Sequence, residues 1–239
     1  MKKAKQLVII GAGGHGSVIA DIARLNGYES IVFLDDGCTE RADGYPIVGK
    51  VSDHPRYAAD ADFFVAIGGN ATRQRLTGLL TDSGASIATL IHPNAVIGEN
   101  VTVGKGTAIM AGAVVNSGTA IGDGVILNTC SSVDHDCRVG NFVHIAVGAH
   151  LCGTVTVGDG SFICAGATVI NNVSVCASAT VGAILGLTRA RLRYMPCWTP
   201  CAVFWRCRTA TVGFPAISGR SVPAFTTRWG AAVAPAPER

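Results

Sequence analysis

Every sixth residue from Ile97 onward is aliphatic: Ile97, Val103, Ile109, Val115, Ile121, Leu127, Val133, Val139, Ile145, Leu151, Val157, Ile163, Val169, Val175 and Val181, fifteen positions without a slip in phase. A fixed period of this kind marks a repeat architecture, in which each unit buries its apolar face only against its neighbours. Two residues before each of these positions the side chain is small or Val, as at Ala95, Val101, Thr107, Ala113, Thr119, Val125, Ser131, Cys137, Val143 and Ala149. One residue after them stand Gly98, Gly104, Asn116, Gly122, Asn128, Asp134, Gly140, Gly158 and Gly182. Gly, Asn and Asp tolerate a left-handed backbone, so these positions are read as sharp corners. The unit is a short strand, an inward aliphatic residue and a corner. Three six-residue units close a triangular coil of eighteen residues, and the fifteen units make five coils. Residues 92–184 are therefore expected to form an all-β parallel β-helix of the hexapeptide type, needing a cap at each end.

The first ninety-one residues have a different rhythm. QLVII (6–10) reads as a buried strand, followed by GAGGHG (11–16) and an amphipathic stretch, SVIADIARLNG. SIVFL is a second strand ending in Asp35 and Asp36; DFFVAI (62–67) is a third, ended by Gly68, Gly69 and Asn70 and followed by a helix from Thr72 to about Ser83. ASIATLI leads into a boundary at His92-Pro93. Strands alternating with helices predict a small parallel α/β domain over residues 1–91, Rossmann-like, with ligand-binding loops at the strand ends. GAGGHG fits G-x-G-x-x-G between a strand and a helix, with Asp35 at a distance suited to a ribose. Three readings stand: a dinucleotide site, a half-fold holding one nucleotide or nucleotide sugar, and a plain tight turn. The domain is short for the two halves that a dinucleotide needs, and a turn alone does not require the imidazole of His15. The candidate substrate contacts are Gly13, Gly14, His15, Asp35, Asp36, Gly68 and Asn70.

Composition narrows the class. Half the chain is apolar (49%) and only 15% charged, and a net charge of +3 does not argue for nucleic acid. No stretch approaches the roughly 18 apolar residues of a membrane span. The opening MKKAKQLVII runs into glycines too soon for a signal-peptide core. A cytoplasmic protein with its nine cysteines reduced is the expectation. Residues 185–239 change character: they hold all three Trp, eight Arg and no Lys, with Glu238 the only acid. Cys197, Cys201 and Cys207 lack a fourth partner there, and no metal site is expected.

Within the hexads, residues 131–137 read SSVDHDC. Val133 is the inward aliphatic residue, Asp134 takes the corner, and His135 and Asp136 should project outward. An outward imidazole beside a carboxylate, on a rigid support, has the parts of a general base. His144 precedes the inward Ile145 and should also face outward, on the same part of the prism. Cys130 and Cys137 flank the pair and allow a rival acyl-enzyme reading, but Cys137 falls in an inward slot and should be inert.

GAGGHG, LDD (34–36), FVAIGGN (64–70) and NTCSSVDHDCRVGNFVHIAVGA (128–149) resemble the bacterial sugar O-/N-acetyltransferases, the sialic acid O-acetyltransferase-like group that includes N-acetyltransferases for UDP-bacillosamine precursors and GDP-perosamine. The resemblance covers about residues 5–183. It implies a left-handed β-helix, a homotrimer, a nucleotide sugar on the N-terminal domain and acetyl-CoA between subunits. It also implies that His135 is the general base and that Asp136 raises its basicity. Gly13, Gly14 and His15, with Asp35 and Asp36, match the substrate loops. His144, Gly153, Ala165 and Gly182 match the acetyl-CoA contacts, with Ala183 standing where the family usually has glycine. The function this implies is acetyl transfer to the amino group of a nucleotide-linked amino sugar, a UDP-4-amino sugar being favoured, in glycan or surface polysaccharide biosynthesis. The alternatives are O-acetylation of sialic acid and a non-catalytic nucleotide-sugar scaffold.

Overall fold

The computed structural model describes residues 6–40 and 44–183, together with the backbone of residues 186–187. The expectations for Cys197, Cys201, Cys207 and the rest of the basic tail lie outside the described residues.

The chain begins with a five-stranded parallel sheet made of β1 (Gln6–Ile10), β2 (Ser30–Leu34), β3 (Ile47–Gly49), β4 (Asp62–Val65) and β5 (Ser86–Ile87), in the order β3-β2-β1-β4-β5. Helix α1 (Gly14–Leu25) links β1 to β2, and α2 (Asn70–Asp82) links β4 to β5. The unbroken apolar run of β1 suits a central strand covered on both faces. Its side chains alternate accordingly: Leu7 and Ile9 pack with Ile19, Ile22 and Ala23 of α1, whereas Val8 and Ile10 pack with Leu76 and Leu80 of α2. Helix α1 starts three residues before the expected Ser17, so that Gly16 already lies in its first turn. A Cβ at Gly16 would collide with the Gly11 carbonyl, which is why only glycine lets the helix turn back so tightly onto its strand. Strand β3 and the 3₁₀ turn Val51–Arg56 were not anticipated. Three residues, Ile47, Val48 and Gly49, are too few to carry a periodic signal.

From β6 (Leu90–Ile91) to β22 (Gly186–Leu187) the chain is a succession of two-residue strands at six-residue spacing. Each pairs in parallel with the strand eighteen residues on, as in Val115↔Val133, Ile121↔Val139 and Leu127↔Ile145. Three sheets result. The first holds β7 (Val96–Ile97), β13 (Ser132–Val133) and their stack, the second β8 (Thr102–Val103) and its stack, the third β6, β15 (His144–Ile145) and theirs. The architecture is a left-handed parallel β-helix. From Ile109 to Val181 every sixth residue is 7% exposed or less and lies in one continuous core with Ala113, Val125, Cys137 and Ala149. The ladder also takes in Ile91 and Leu187, one hexad beyond each end of the fifteen.

The corners differ from the sequence expectation. Residues with positive φ stand three places after the aliphatic residue, at Asn100, Gly106, Gly112, Gly118, Cys130, Asp136, Phe142 and Thr154 among others, and not one place after it. The glycines one place after answer a different need. A Cβ on Gly98 would lie 2.7 Å from the Ser117 nitrogen, and one on Gly122 would lie 2.9 Å from the Asn141 nitrogen. They are small because successive coils touch there. Asp134 therefore is not the left-handed residue of its corner; Asp136 is, with φ 57°.

The third sheet carries the α/β unit. Ala108, Met110 and Ile126 on its outward side share a core with Leu7 and Ile9. Asn26, at the end of α1, donates to the Ile91 carbonyl at 2.8 Å and accepts from the Ile91 nitrogen at 3.1 Å, taking the place of a neighbouring strand.

Candidate active site

His135 lies on the edge between the first and second sheets. Its backbone is held on both sides. The Asp136 nitrogen donates to the Ser117 carbonyl of the preceding coil at 3.1 Å, and the Thr154 nitrogen of the following coil donates to the His135 carbonyl at 2.9 Å. Asp134 is a backbone brace: its Oδ1 accepts from the His135 nitrogen at 2.8 Å and from Asn116 Nδ2 at 2.8 Å. The Asn116 hydrogen bond is the main reason that the Asp134 carboxyl lies below the usual carboxylate range. Against this fixed backbone the side chains of His135 and Asp136 stand in solvent, 55% and 64% exposed, with Nδ1 of the ring 2.8 Å from Asp136 Oδ2. That hydrogen bond first, and the charge of Asp134 second, raise the imidazole above its ordinary pKa. With Nδ1–H donating to the carboxylate, Nε2 is left as the acceptor.

Gly153, one coil further on, lies under this ring. A Cβ at Gly153 would fall 2.6 Å from Nε2 and 2.7 Å from Cε1 of His135. Glycine at that position is what leaves the imidazole room to lie over the coil. An open cleft of about 500 Å³ runs along the same edge, lined by Gly98, Glu99, Asn116, Ser117, Asp134 and His135. Glu99, Asn116 and Ser117 were not singled out from sequence. Their signal was the eighteen-residue register: Glu99, Ser117, His135 and Gly153 occupy one column, and Asn116 sits one coil before Asp134.

His144 belongs to different surroundings. Its strand is in the third sheet, where the α/β unit rests, so within one chain it is not brought beside His135. The expectation that the two share one part of the prism is corrected here: nine residues span half a coil, enough to change face. Nor does His144 stand free. Nε2 is 3.2 Å from Asn128 Nδ2, and the ring packs on Phe162 at 5.0 Å between centroids. Burial, then the charges of Arg73 and His15, push His144 down to about 4. His15 meets the same junction from α1. Burial and then Arg73 lower it to about 4, and its Nε2 is buried without a hydrogen-bond partner.

The other expected substrate contacts divide. Gly13 and Gly14 open α1, with empty space where a Cβ would stand. No side chain caps that helix and its first turn holds no acid, which leaves its positive end to a ligand anion. Asp35 points at the loop: Oδ2 accepts from the Ala12 nitrogen at 2.7 Å, and Oδ1 from Gly37 and Cys38 nitrogens at 2.8 Å each. Asp36 Oδ1 accepts from the Val51 nitrogen at 3.0 Å. Asn70 is turned to the prism, its Nδ2 donating to the Gly160 and Ser161 carbonyls at 2.9 and 3.0 Å. Gly68 is held by Arg73, which is 1% exposed. Ala165 and Gly182 lie on corners of the last coils, partly or wholly accessible. Cys137 is fully buried, its thiol pushed up by burial and donating to the Cys152 carbonyl at 3.2 Å, as an inert thiol should be. Among the described residues no cluster of His, Cys, Asp and Glu is placed to hold a metal, and no helix is long and apolar enough to cross a membrane.

The family described as PglD N-terminal domain matches residues 6–79. Over 114 residues the chain is 34% identical to the UDP-N-acetylbacillosamine N-acetyltransferase of Bacillus subtilis (strain 168), an alignment covering 45% of this chain and 52% of that protein. The chain thus spans about half the length of this curated relative. Among solved structures, a histidine-to-alanine variant of GDP-perosamine N-acetyltransferase from Caulobacter crescentus, in complex with CoA and GDP-perosamine, is 37% identical, with a TM-score of 0.75 over 78% of this chain and 90% of that one. The acetyltransferase domain of PglB from Neisseria gonorrhoeae FA1090 is also 37% identical, with a TM-score of 0.63 over 75% of this chain and 92% of that one. With both its α/β unit and its prism matched in these proteins, the chain belongs to the hexapeptide-repeat family of sugar N-acetyltransferases.

Proposed function

We propose that the protein moves acetyl from acetyl-CoA to the amino group of a nucleotide-linked amino sugar, most specifically a UDP-4-amino sugar, on the cytoplasmic side of a glycan pathway. The observation that carries the reading is the His135–Asp136 pair, 2.8 Å apart on a rigid edge with Nε2 over Gly153. In the reaction, the sugar amine attacks the thioester carbonyl while His135 Nε2 accepts the proton from the attacking nitrogen. Backbone N–H groups of the prism stabilise the oxyanion. The tetrahedral intermediate collapses by breaking the C–S bond; CoA leaves as thiol, taking the proton back from His135, and an amide remains on the sugar. Asp136 holds the ring in one tautomer and stabilises the imidazolium formed between the two proton transfers.

The surroundings of the strand ends support this acceptor class. A free sialic acid presents a carboxylate, for which a cation is the natural partner. Arg73, beside the loop after β4, is buried with all its donors engaged. The uncapped start of α1 suits a diphosphate. Efficient acetylation of free sialic acid to an alkali-labile ester, with UDP-amino sugars ignored, would overturn the assignment; CoA release that needs the nucleotide and gives an alkali-stable amide supports it.

The reading also requires more than one copy. His135 has only prism residues about it, whereas His15 and His144 sit at the junction on the third sheet. An acceptor held by the α/β unit meets the base only when the edge of one prism abuts the junction of another, as in a homotrimer with three shared sites. An active monomer in sedimentation rules this out.

A further inference from the structure

Arg73 is 1% exposed, and each of the five N–H groups of its guanidinium has an acceptor. Nε donates to the Gly124 carbonyl at 2.7 Å and Nη2 to the Phe142 carbonyl at 3.0 Å, both on the prism. Nη1 donates to the Ile67 and Gly68 carbonyls at 2.9 and 3.1 Å, both on the loop after β4, and Nη2 also reaches Asn70 Oδ1 at 2.9 Å. Every acceptor is neutral, so the charge is buried without a carboxylate partner, and burial alone pulls its pKa down to about 10. These hydrogen bonds offset part of the cost of burying the charge, and removing the guanidinium alone would leave its carbonyl acceptors unpaired. The planar fork does what Met or Leu would not: it ties together four backbone carbonyls, two on each side of the junction. On the prism side, Phe142 stands two residues before His144, and Gly124 two before Ile126, which pairs with His144. His144 and His15 both feel the charge of the guanidinium.

We propose that Arg73 is a positioning residue: by pinning the Ile67 and Gly68 carbonyls to the prism it sets the ring of His144 and the wall beside His15, without touching a ligand itself. The inference rests on the acetyl-transfer reading and names a residue that the reading did not require. Two substitutions in the full chain test it. Arg73→Met keeps the bulk and removes charge and fork; Arg73→Lys keeps the charge, but an ammonium cannot reach carbonyls on opposite sides at once. Both are expected to fold and assemble with lowered stability, because buried carbonyls lose their donor, to hold kcat within a few-fold, and to raise KM for acceptor or acetyl-CoA about 10- to 100-fold, the penalty of a binding wall displaced by about an ångström. In histidine-labelled Arg73→Met, His15 and His144 should titrate at higher pH than in the parent while His135 does not move. Parent-like KM values in folded Arg73→Met overturn the proposal. Failure of both variants to fold overturns it too, because Arg73 is then a structural buttress only. If the parent itself releases no CoA with nucleotide amino sugars, the functional reading fails separately. The titration still decides Arg73 in that case: unmoved His144 and His15 signals in Arg73→Met end the proposal.

Discussion

The edge that carries His135 and the junction that carries His15 and His144 use the same side chain under opposite conditions. On the edge the ring is in water with a carboxylate 2.8 Å away, and its proton affinity is raised. At the junction two half-buried rings feel the charge of an arginine, and both fall to about 4. A ring with raised proton affinity in water can accept a proton; a ring kept neutral is a hydrogen-bonding surface. The difference teaches that solvent exposure and the sign of the nearest charge, rather than residue type, separate a ring that takes up a proton readily from one kept neutral. One chain supplies both halves, on different faces.

The comparison breaks most severely if the base is removed. His135→Ala should lower kcat by about 10²–10⁴-fold, the usual contribution of a positioned base. Thermal stability should be unchanged, because the side chain is exposed. Near-normal turnover by folded His135→Ala would mean that the edge is not the base at all.

The junction should declare itself in acid. Its two histidines have folded-state pKa values near 4, below the ordinary 6.5, so the unfolded chain binds more protons between those values. Stability is therefore greatest above pH 6.5 and falls as pH drops towards 4, by up to roughly 3 kcal/mol for each ring and less than additively for the two. Denaturant midpoints measured from pH 7 to 4 check this. Replacing His144 by Gln should flatten the slope, and an unchanged slope would show that the rings are not buried neutral.

Gly153→Ala sharpens the edge. Gly153 does not have positive φ, so the backbone accepts alanine, but the new methyl would enter the ring of His135. Turnover should fall about 10- to 100-fold with folding retained, as for any small misplacement of a reacting group. A variant with parental kcat would show that the ring is free to sit elsewhere.

The smallest effect concerns Asp136. The carboxylate raises the pKa of His135, so if the neutral ring is the proposed base, the acid limb of the rate profile lies above the ordinary histidine value. Asp136→Asn should shift that limb to lower pH and cost less than about tenfold in rate at neutral pH. A limb that does not move would separate Asp136 from the base.

Much of this was legible beforehand because the β-helix is local in sequence. Its register is eighteen residues, so an aliphatic residue every sixth position specifies the pairing of Val115 with Val133, and an outward slot at His135 follows from the inward slot at Val133. The corners were misplaced by two residues because Gly, Asn and Asp mark close contact between coils as readily as they mark positive φ, and sequence does not tell the two apart. His144 was set on the wrong part of the prism because outwardness is periodic, whereas what covers a face is not. Asp35 and Asn70 were legible as polar residues at strand ends. That their side chains hold the Ala12 nitrogen and the Gly160 and Ser161 carbonyls was not, since those partners lie 23, 90 and 91 residues away.

The sequence by itself determined the coil, its inward core, the α/β unit before it and the exposed His135–Asp136 pair, all products of short-range periodicity and adjacency. Only the tertiary structure decided that the third face is the one covered, through Ala108, Met110 and Ile126, and that Arg73 has no donor left for a ligand. It also decided that Gly153 lies beneath the ring of His135 and that His15 and His144 stay neutral. The physical reason is the same in each case. Burial and the field of a buried charge depend on which surfaces meet, and that is settled by groups far apart in the chain.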